Sequence, residues 1–351
     1  MFLRTRTLAR FRPLLSPVYI PTYRSFSSTT AIMTKVAVAQ ILSTHDVKHN
    51  LAVSAKVVRD AVAEGAKAVF LPEAADFIAR SAQETFELSA PLSKHEYTKG
   101  LQALAKELGV VISAGVHDLP EAYENDDEPE SSLRVYNTHV LIGTDGELLA
   151  RYRKIHLFDV ELQQAAGADG VVPAPKRTGE SDRVRPGKEI VPPVAVNGLG
   201  KVGLEICYDL RFPELHIIQT RLGAQILTFP SAFTLKTGKD HWATLLRGIA
   251  IQFQVYVLAS AQYGAHNPQR SSWGEALAFD PWGRQLGRLR SVEDDGDKAS
   301  IDKVYAEGGE YFLTDIDLDT VTSTRKQIPL AFQKRTDIYG VVGKELPPHP
   351  I

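Results

Sequence analysis

From residue 35 onwards, short apolar runs of strand length alternate with longer segments of helical periodicity. Lys35–Ile41 and Ala68–Leu71 are apolar runs, and Val47–Ala63 between them carries apolar residues at helical spacing. The alternation recurs where Lys201–Ile206 is followed by the helical pattern of Pro213–Leu222. Strands that alternate with helices predict an α/β layered fold.

Hairpin signals interrupt this alternation, so we expect mixed sheets. Asp145-Gly146 lies between the strand patterns Val135–Ile142 and Glu147–Tyr152, and Asp-Gly is typical of a tight turn. No interior segment has the composition of a linker between domains. The acidic run Glu121–Glu130 and the segment Gln163–Gly179 are therefore expected to be solvated loops inserted in one domain.

The composition excludes several classes of protein. The 351 residues include 40 Lys and Arg against 42 Asp and Glu, and a net charge of −2 argues against a nucleic-acid partner. No apolar run is long enough to predict a membrane-spanning helix. Cys207 is the single cysteine, which excludes an intrachain disulfide and a zinc site with several cysteines. No metal-binding motif occurs, and the single G-x-G-x-x-G match lacks the structural context of a cofactor site, so we expect neither a metal nor a cofactor.

The first 33 residues differ in composition from the rest of the chain. Five arginines and a serine cluster occur there without any Asp or Glu, which is typical of a mitochondrial presequence. A disordered arm is the alternative. Met33 is the second of only two methionines and directly precedes the first strand pattern. Initiation at Met33 would produce a cytoplasmic form beside the mitochondrial one.

Polar residues follow several predicted strands at the points where the strands end. Glu73 follows the run that ends at Leu71, Cys207 follows Ile206, and Ser231 follows a strand pattern that ends at Phe229. Ligands of α/β sheets gather at the carboxyl ends of strands, so these side chains are candidates for one site. Lys154 is a fourth candidate because it comes just after Glu147–Tyr152.

Each candidate also has a simpler interpretation. Cys207 is either a buried small apolar residue or a nucleophile, which would need a base or a cation nearby to become a thiolate. Glu73 is either a carboxylate at a helix N-terminus or a general base in a dry pocket. Lys154 is either a surface lysine or a cation that stabilises a developing negative charge.

One motif is misleading. Gly198–Gly203 satisfies the G-x-G-x-x-G pattern of dinucleotide-binding proteins. That pattern must follow a strand and begin a helix, whereas here it precedes a strand. Asn197-Gly198 instead predicts a hairpin turn, so we do not expect nucleotide binding.

Three motifs around the candidate residues make a family resemblance visible. Val69–Glu73, Arg153–Asp159 and Gly203–Glu214 occur in this order, and the likeness extends over about residues 34 to 342. The chain resembles the Nit branch of the nitrilase superfamily of carbon–nitrogen hydrolases. The resemblance implies a four-layer α-β-β-α sandwich with mixed sheets over 34–325, followed by a tail at 326–351, and usually a homodimer formed through helices that flank the cysteine.

The resemblance also implies a role for each motif residue. Glu73 would be the general base, Lys154 the electrophilic stabiliser and Cys207 the nucleophile. Glu180 would be a second glutamate that positions the substrate amide, although plain solvation in a loop is its alternative. The backbone N–H of Tyr208 would bind the oxyanion beside Lys154.

Two amidase activities of the Nit branch compete for this chain. One hydrolyses deaminated glutathione to 2-oxoglutarate and Cys-Gly, and the pattern at Ala261–His266 favours it. The other is an ω-amidase acting on 2-oxoglutaramate or 2-oxosuccinamate, which the stretch Lys154–Asp159 resembles. A non-catalytic interaction protein is a third possibility.

Both substrates are small anionic amides. Arg211 and Arg247 are candidates to bind the carboxylate, because guanidinium binds carboxylate in a bidentate manner. Ion pairs with neighbouring acidic side chains are the alternative for both. Ser231 is a further candidate for substrate binding because it follows a strand end.

Overall fold

The computed structural model describes residues 33–122, 124, 132–162, 176–294 and 296–343. The expected presequence lies outside these ranges except for Met33, as do most of the acidic run Glu121–Glu130 and most of Gln163–Gly179. The predictions for residues 1–32 therefore stay predictions.

The described chain alternates strands and helices as the sequence predicts. The strands are β1 Thr34–Ile41, β2 Ala68–Phe70, β3 Ala90–Pro91, β4 Val111–Leu119, β5 Tyr136–Ile142, β6 Leu148–Arg153, β7 Asp159–Leu162, β8 Lys176–Gly179, β9 Val194–Val196, β10 Gly200–Leu204, β11 Ile226–Thr228, β12 Tyr256–Ala259, β13 Ala261–Asn267, β14 Arg270–Trp273, β15 Leu277–Phe279, β16 Gln285–Arg288 and β17 Glu310–Ile316. The α-helices are α1 Val47–Ala63, α2 Ala82–Leu88, α3 Glu96–Leu108, α4 Pro213–Arg221, α5 Leu235–Thr237, α6 Ala243–Phe253, α7 Lys298–Glu307, α8 Leu318–Gln327, α9 Leu330–Gln333 and α10 Thr336–Tyr339. Two 3₁₀ turns cover Glu180–Asp182 and Cys207–Arg211.

The strands form two large mixed sheets and one hairpin. The first sheet has the order β14-β13-β1-β2-β4-β5-β6, with β17 paired to β1 and β3 paired to β4. The second has the order β16-β15-β12-β11-β10-β9, and β7 pairs with β8 alone. The central pairs β1–β2 and β10–β11 are parallel, whereas β4–β5 and β12–β15 are antiparallel. The prediction of mixed sheets is confirmed.

Alternating side chains of the central strands serve two different cores. In β1, Val36 and Val38 belong to the core between the two sheets, whereas Ala37 and Ala39 belong to the core beneath α1 and α3. Successive side chains of a strand point to opposite faces, so a strand buried on both sides is apolar throughout.

The layers follow from these cores. Helices α1 and α3 cover the outer face of the first sheet, and α4 and α6 cover the second. The arrangement is the four-layer α-β-β-α sandwich that the family resemblance implies. No helix in the described ranges is long and apolar enough to cross a membrane.

Local sequence signals account for several boundaries. Helix α1 begins where the side chain of Asp46 accepts hydrogen bonds from the backbone N–H groups of Lys48 and His49. Helix α3 ends at Gly109, whose φ of 60° is the left-handed conformation that glycine adopts readily. The glycine-rich segment at Gly198 connects β9 to β10 as an antiparallel hairpin, as the sequence predicts.

One prediction needs correction. The segment Gln163–Gly179 is not a loop throughout, because Lys176–Gly179 forms β8 and pairs with Asp159–Leu162. The sequence of β8 is polar and lacks the alternation that identifies a strand. Its pairing depends on backbone hydrogen bonds to β7, which the pattern of side chains does not show.

Candidate active site

Four side chains from four different strands meet at one edge of the sandwich. Glu73 follows β2, Lys154 follows β6, Glu180 follows β8 and Cys207 follows β10. The structure therefore brings together all four residues to which the sequence analysis assigned catalytic roles. Lys154, Glu73 and Cys207 are almost completely buried, with 2%, 3% and 8% of their surface exposed.

Lys154 lies between the two glutamates. Its Nζ donates to Glu73 Oε1 at 3.1 Å and to the two carboxylate oxygens of Glu180 at 2.9 and 2.8 Å. A buried ammonium is stable only where carboxylates compensate its charge. Glu180 is therefore part of the charged cluster, and the alternative that it is only a solvated loop residue is wrong.

Two further groups, absent from the sequence prediction, hold the Glu73 carboxylate. Asn137 Nδ2 donates to Glu73 Oε1 at 2.7 Å and to Glu180 Oε1 at 3.1 Å, and thus links the two glutamates. The backbone N–H of Ala232 donates to Glu73 Oε2 at 2.8 Å. Asn137 is one of several polar residues at the start of β5, so the sequence did not single it out, and a backbone donor leaves no trace in a sequence.

Cys207 occupies a sharp turn between β10 and the 3₁₀ helix that follows. Its φ of 45° lies in the left-handed region, which is unusual for a residue with a side chain. The buried Asp209 stabilises the turn, because its carboxylate accepts from Ile206 N at 2.9 Å and from the Tyr152 hydroxyl at 2.8 Å. The backbone N–H of Cys207 donates to Pro230 O at 3.1 Å.

The turn after β2 depends on the neighbouring strand. Gly115 of β4 packs so closely that a Cβ there would lie 2.5 Å from Glu73 Cα. Gly115 N donates to Pro72 O at 2.9 Å, and Ala74 then adopts a φ of 53°. Glycine at position 115 is therefore a requirement of the close approach that positions the glutamate.

The surroundings favour one set of protonation states. Burial raises the pKa of Glu73, but the charge of Lys154 and the hydrogen bond from Asn137 outweigh it, so the pKa lies below its ordinary value. Burial lowers the pKa of Lys154, but Glu180 and Glu73 raise it well above the ordinary range. Burial and the negative charge of Glu73 raise the pKa of Cys207. The resting site thus holds the Glu73 carboxylate, the Lys154 ammonium and the neutral thiol of Cys207.

A small apolar cleft opens onto the thiol. Tyr208 lies in its wall, and the Phe158 ring meets the Tyr208 ring edge-on with 5.0 Å between centroids. As the second residue of a helical turn, Tyr208 has a backbone N–H without a partner inside that turn. The cleft is lined by Phe158, Cys207, Tyr208, Ala232, Phe233, Thr234 and Thr237.

Of the other predicted binding residues, Arg211 lies beside the cleft, whereas Ser231 is buried in the sheet. Arg211 Nη2 donates to His241 Nδ1 at 3.1 Å, and its guanidinium lies 5.8 Å from the centre of the Tyr208 ring. Ser231 is fully buried, and its hydroxyl donates to Phe229 O at 3.0 Å. The substrate-binding prediction for Ser231 therefore needs correction, because its hydroxyl group faces the sheet. The residue at this strand end that contacts Glu73 is Ala232, through its backbone N–H.

Arg247 lies at the opposite end of its sheet. It is exposed on α6 beside Gly283, in the turn that joins β15 to β16. Because β15 runs antiparallel to β12, that turn lies at the amino ends of the parallel strands, away from Cys207. Among the described residues, no group of three or more His, Cys, Asp or Glu side chains could hold a metal ion.

Comparisons with known proteins identify the family. The carbon–nitrogen hydrolase family model matches residues 35–326. The chain is 38% identical over 342 residues to the deaminated glutathione amidase of Bos taurus, which covers 97% of this chain and 93% of that protein.

Solved structures extend the agreement to the fold. The Caenorhabditis elegans NitFhit protein superposes with a TM-score of 0.72 at 35% identity, over 89% of this chain and 67% of that chain. Nit3 of Saccharomyces cerevisiae, a member of branch 10 of the nitrilase superfamily, superposes with a TM-score of 0.68 at 26% identity, over 88% of this chain and 100% of that chain. The chain belongs to the Nit branch of the carbon–nitrogen hydrolases in the nitrilase superfamily, and it is a hydrolase of carbon–nitrogen bonds.

Proposed function

We propose that this amidase hydrolyses deaminated glutathione to 2-oxoglutarate and Cys-Gly, a reaction of metabolite repair. The observation that carries the proposal is the 38% identity to the bovine deaminated glutathione amidase over nearly the whole of both chains. The buried cluster of Glu73, Lys154, Glu180 and Cys207 supports an amide hydrolysis that needs no cofactor.

The resting protonation states lead directly to the first step. Glu73 takes the thiol proton while the sulfur of Cys207 attacks the carbonyl carbon, so the net charge of the buried cluster does not change. The carbonyl oxygen becomes an oxyanion, which the ammonium of Lys154 and the backbone N–H of Tyr208 stabilise. Glu180 holds Lys154 and positions the substrate amide.

Glu73 then completes both halves of the reaction. It gives its proton to the leaving nitrogen as the carbon–nitrogen bond breaks, so Cys-Gly departs with a free amino group and the acyl group stays on Cys207 as a thioester. Water that loses a proton to Glu73 attacks the thioester. The proton returns to the sulfur, and 2-oxoglutarate leaves.

The test is a coupled assay of 2-oxoglutarate release by the Met33-start protein, with Cys207→Ala as the inactive control. Deaminated glutathione and 2-oxoglutaramate are offered separately. Faster release from deaminated glutathione supports the proposal. Faster release from 2-oxoglutaramate assigns the protein to the ω-amidases. If the wild type releases 2-oxoglutarate from neither amide and its Cys207 thiol also fails to react with an alkylating reagent, the protein is non-catalytic.

We also propose that the amidase is a homodimer. Large apolar side chains are exposed on the short C-terminal helices, with Phe332 91%, Ile338 69% and Tyr339 63% exposed. A partner that covers them would remove apolar surface from water. Light scattering should give twice the chain mass, and Phe332→Asp should give the mass of one chain; a wild-type monomer would contradict the proposal.

The localisation proposal rests on the first 33 residues. Their five arginines without an acidic residue support import into mitochondria, and Met33 supports a second, cytoplasmic form. Mass spectrometry of N-terminal peptides from fractionated cells should find a processed form in mitochondria and a form beginning at or just after Met33 in the cytosol. Detection of the uncleaved Met1 form alone would contradict both statements.

A further inference from the structure

The side chain of Gln262 is completely buried against the turn that carries Glu73. Its Nε2 donates to Glu73 O at 2.9 Å and to Ala74 O at 3.1 Å. Ala74 is the residue of this turn with a positive φ of 53°, so the amide bonds the carbonyl groups on both sides of it. A buried carbonyl group without a donor costs free energy, and the amide of Gln262 therefore stabilises this conformation of the turn.

The backbone of Gln262 contacts the strand end that holds the Glu73 carboxylate. Gln262 N donates to Ser231 O at 2.8 Å, and Ser231 also forms a parallel bridge with Ala261. The next residue, Ala232, donates its backbone N–H to Glu73 Oε2 at 2.8 Å. Gln262 therefore contacts both the backbone of Glu73 and the segment that binds its carboxylate.

Ser43 and His266 fix the orientation of the Gln262 amide. Ser43 N donates to Gln262 Oε1 at 2.9 Å, and Gln262 Nε2 donates to Ser43 Oγ at 2.7 Å. Ser43 O accepts from His266 Nδ1 at 2.9 Å, so His266 Nε2 accepts from the Ser272 hydroxyl at 2.8 Å. Burial lowers the pKa of His266 to about 3, which keeps the ring neutral. Turning the amide over would place its oxygen against the carbonyl oxygen of Glu73.

We propose that Gln262 is a positioning residue for the base Glu73, and that His266 acts through Ser43 to keep Gln262 in place. This role rests on the proposed function of Glu73 as the base, but it does not depend on which amide is the substrate. It also gives a chemical meaning to the Ala261–His266 pattern, which favours one of the two amidase activities. The segment lies against the base, and the cleft is lined by other residues, so its effect should appear in kcat rather than in KM.

Gln40 on the neighbouring strand β1 provides a matched control. It is also completely buried and bonds backbone groups through its amide, but its partners lie outside the catalytic cluster. Its Nε2 donates to Arg290 O at 2.9 Å, and its Oε1 accepts from Ala276 N at 2.9 Å. Replacing either glutamine with methionine keeps an unbranched side chain and removes the amide. Gln262→Met and Gln40→Met should therefore lower the midpoint of urea unfolding to a similar extent.

The kinetic test uses whichever amide the wild type hydrolyses faster. Gln262→Met should lower kcat roughly tenfold to a hundredfold with little change in KM, because the base is displaced, whereas Gln40→Met should keep the wild-type kcat. His266→Phe keeps a ring but removes both hydrogen bonds, and it should lower kcat by roughly threefold to tenfold even if Gln262→Met fails to fold. An equal loss of kcat in the two methionine variants, or an unchanged kcat in His266→Phe, would overturn the positioning role.

A double variant shows whether Gln262 acts through Glu73. In Glu73→Asp the base is already displaced, so adding Gln262→Met should lower kcat by less than about threefold. A residue that only supports the fold would lower kcat by the same factor in both backgrounds. That result would overturn the positioning role.

A further readout does not depend on the identity of the substrate. Cys207 is the only cysteine, so alkylation by iodoacetamide reports on its sulfur alone. Gln262→Met should slow alkylation at least about threefold, because the neutral thiol gives its proton to Glu73, and Gln40→Met should not. Equal alkylation rates in the two variants would overturn the positioning role. A wild type that hydrolyses neither amide, in a set of variants that keeps this difference in alkylation, would refute the proposed substrate alone.

Discussion

The two strand ends that meet at the active site fix their reactive groups in different ways. After β2, the left-handed residue is Ala74, and Glu73 itself is held by hydrogen bonds to both carboxylate oxygens. After β10, the left-handed residue is the nucleophile Cys207 itself. The base is therefore positioned by its side-chain partners, and the nucleophile by the conformation of its backbone.

This difference has a chemical reason. A carboxylate keeps a useful geometry only while its charge is compensated, and hydrogen-bond donors supply that compensation. A neutral thiol is a weak hydrogen-bonding group, so side-chain partners hold it poorly. A strained turn can direct it toward the substrate without them.

The largest effect should follow from removing the thiol. Cys207→Ala should lower kcat by at least about ten-thousandfold while the protein stays folded, because the covalent step is lost. Cys207→Gly should be equally inactive but about 1 kcal/mol more stable than Cys207→Ala, because glycine adopts a positive φ without strain. Urea unfolding of the two variants measures the difference. Equal stability would show that the turn stores no strain at the nucleophile.

The next effect should follow from disturbing the β2 end alone. Gly115→Ala places a Cβ against the Glu73 backbone, so we expect a loss of about 1–3 kcal/mol in the free energy of unfolding. A displaced base should also lower kcat by about a hundredfold. Gly248→Ala is the matched control, since a Cβ there meets nothing within 4 Å and should stabilise α6 by about 0.5–1 kcal/mol. Unchanged kcat in Gly115→Ala would contradict the role given to the close approach.

A third experiment concerns the link between the two sheets. His139 lies in hydrogen-bond contact with Ser113 Oγ at 2.7 Å and with Glu205 O at 3.0 Å, just before the Cys207 turn. Burial lowers the pKa of His139 to about 4. The unfolded chain therefore binds this proton first, and the stability that His139 contributes is present above about pH 6.5 and lost as the pH falls toward 4.

The size of this loss can be measured. Between pH 7 and pH 5 the wild type should lose roughly 2 kcal/mol of unfolding free energy at His139 alone. His139→Asn should lose correspondingly less over the same interval. If the free energy of unfolding depends on pH in the same way in the two proteins, protonation of His139 does not contribute to the loss of stability.

The smallest effect should come from a charge placed between the glutamates. Asn137→Asp keeps the shape of the side chain but adds a negative charge beside Glu73 and Glu180. Like charges raise the pKa of a carboxyl, so Glu73 should accept its proton at higher pH. The acid limb of kcat/KM should move upward by about one pH unit. Asn137→Ser removes the amide donor without adding a charge, and because loss of that hydrogen bond also raises the pKa of Glu73, its acid limb should move in the same direction but less far. An equal shift in the two variants would show that the added charge contributes nothing.

Local periodicity predicts much of this molecule, because burial repeats every two residues in a strand and every three to four in a helix. Val47–Ala63 was predicted with the observed bounds, and Glu73 and Cys207 were placed at strand ends that do converge. The hydrogen-bond partners were not predictable in the same way. Ala232 contributes a backbone N–H to a residue 159 positions away, and Ser231 beside it looks equally suitable in sequence.

Phe158 and Glu180 flank the β7–β8 hairpin and close its base. Glu180 N donates to Phe158 O at 3.2 Å, and Phe158 N donates to Glu180 Oε2 at 2.7 Å. Residues 163–175, which join the two strands, can therefore change in length or composition while this closed base keeps Glu180 on Lys154. A change of length between β7 and β8 should therefore leave the catalytic cluster in place.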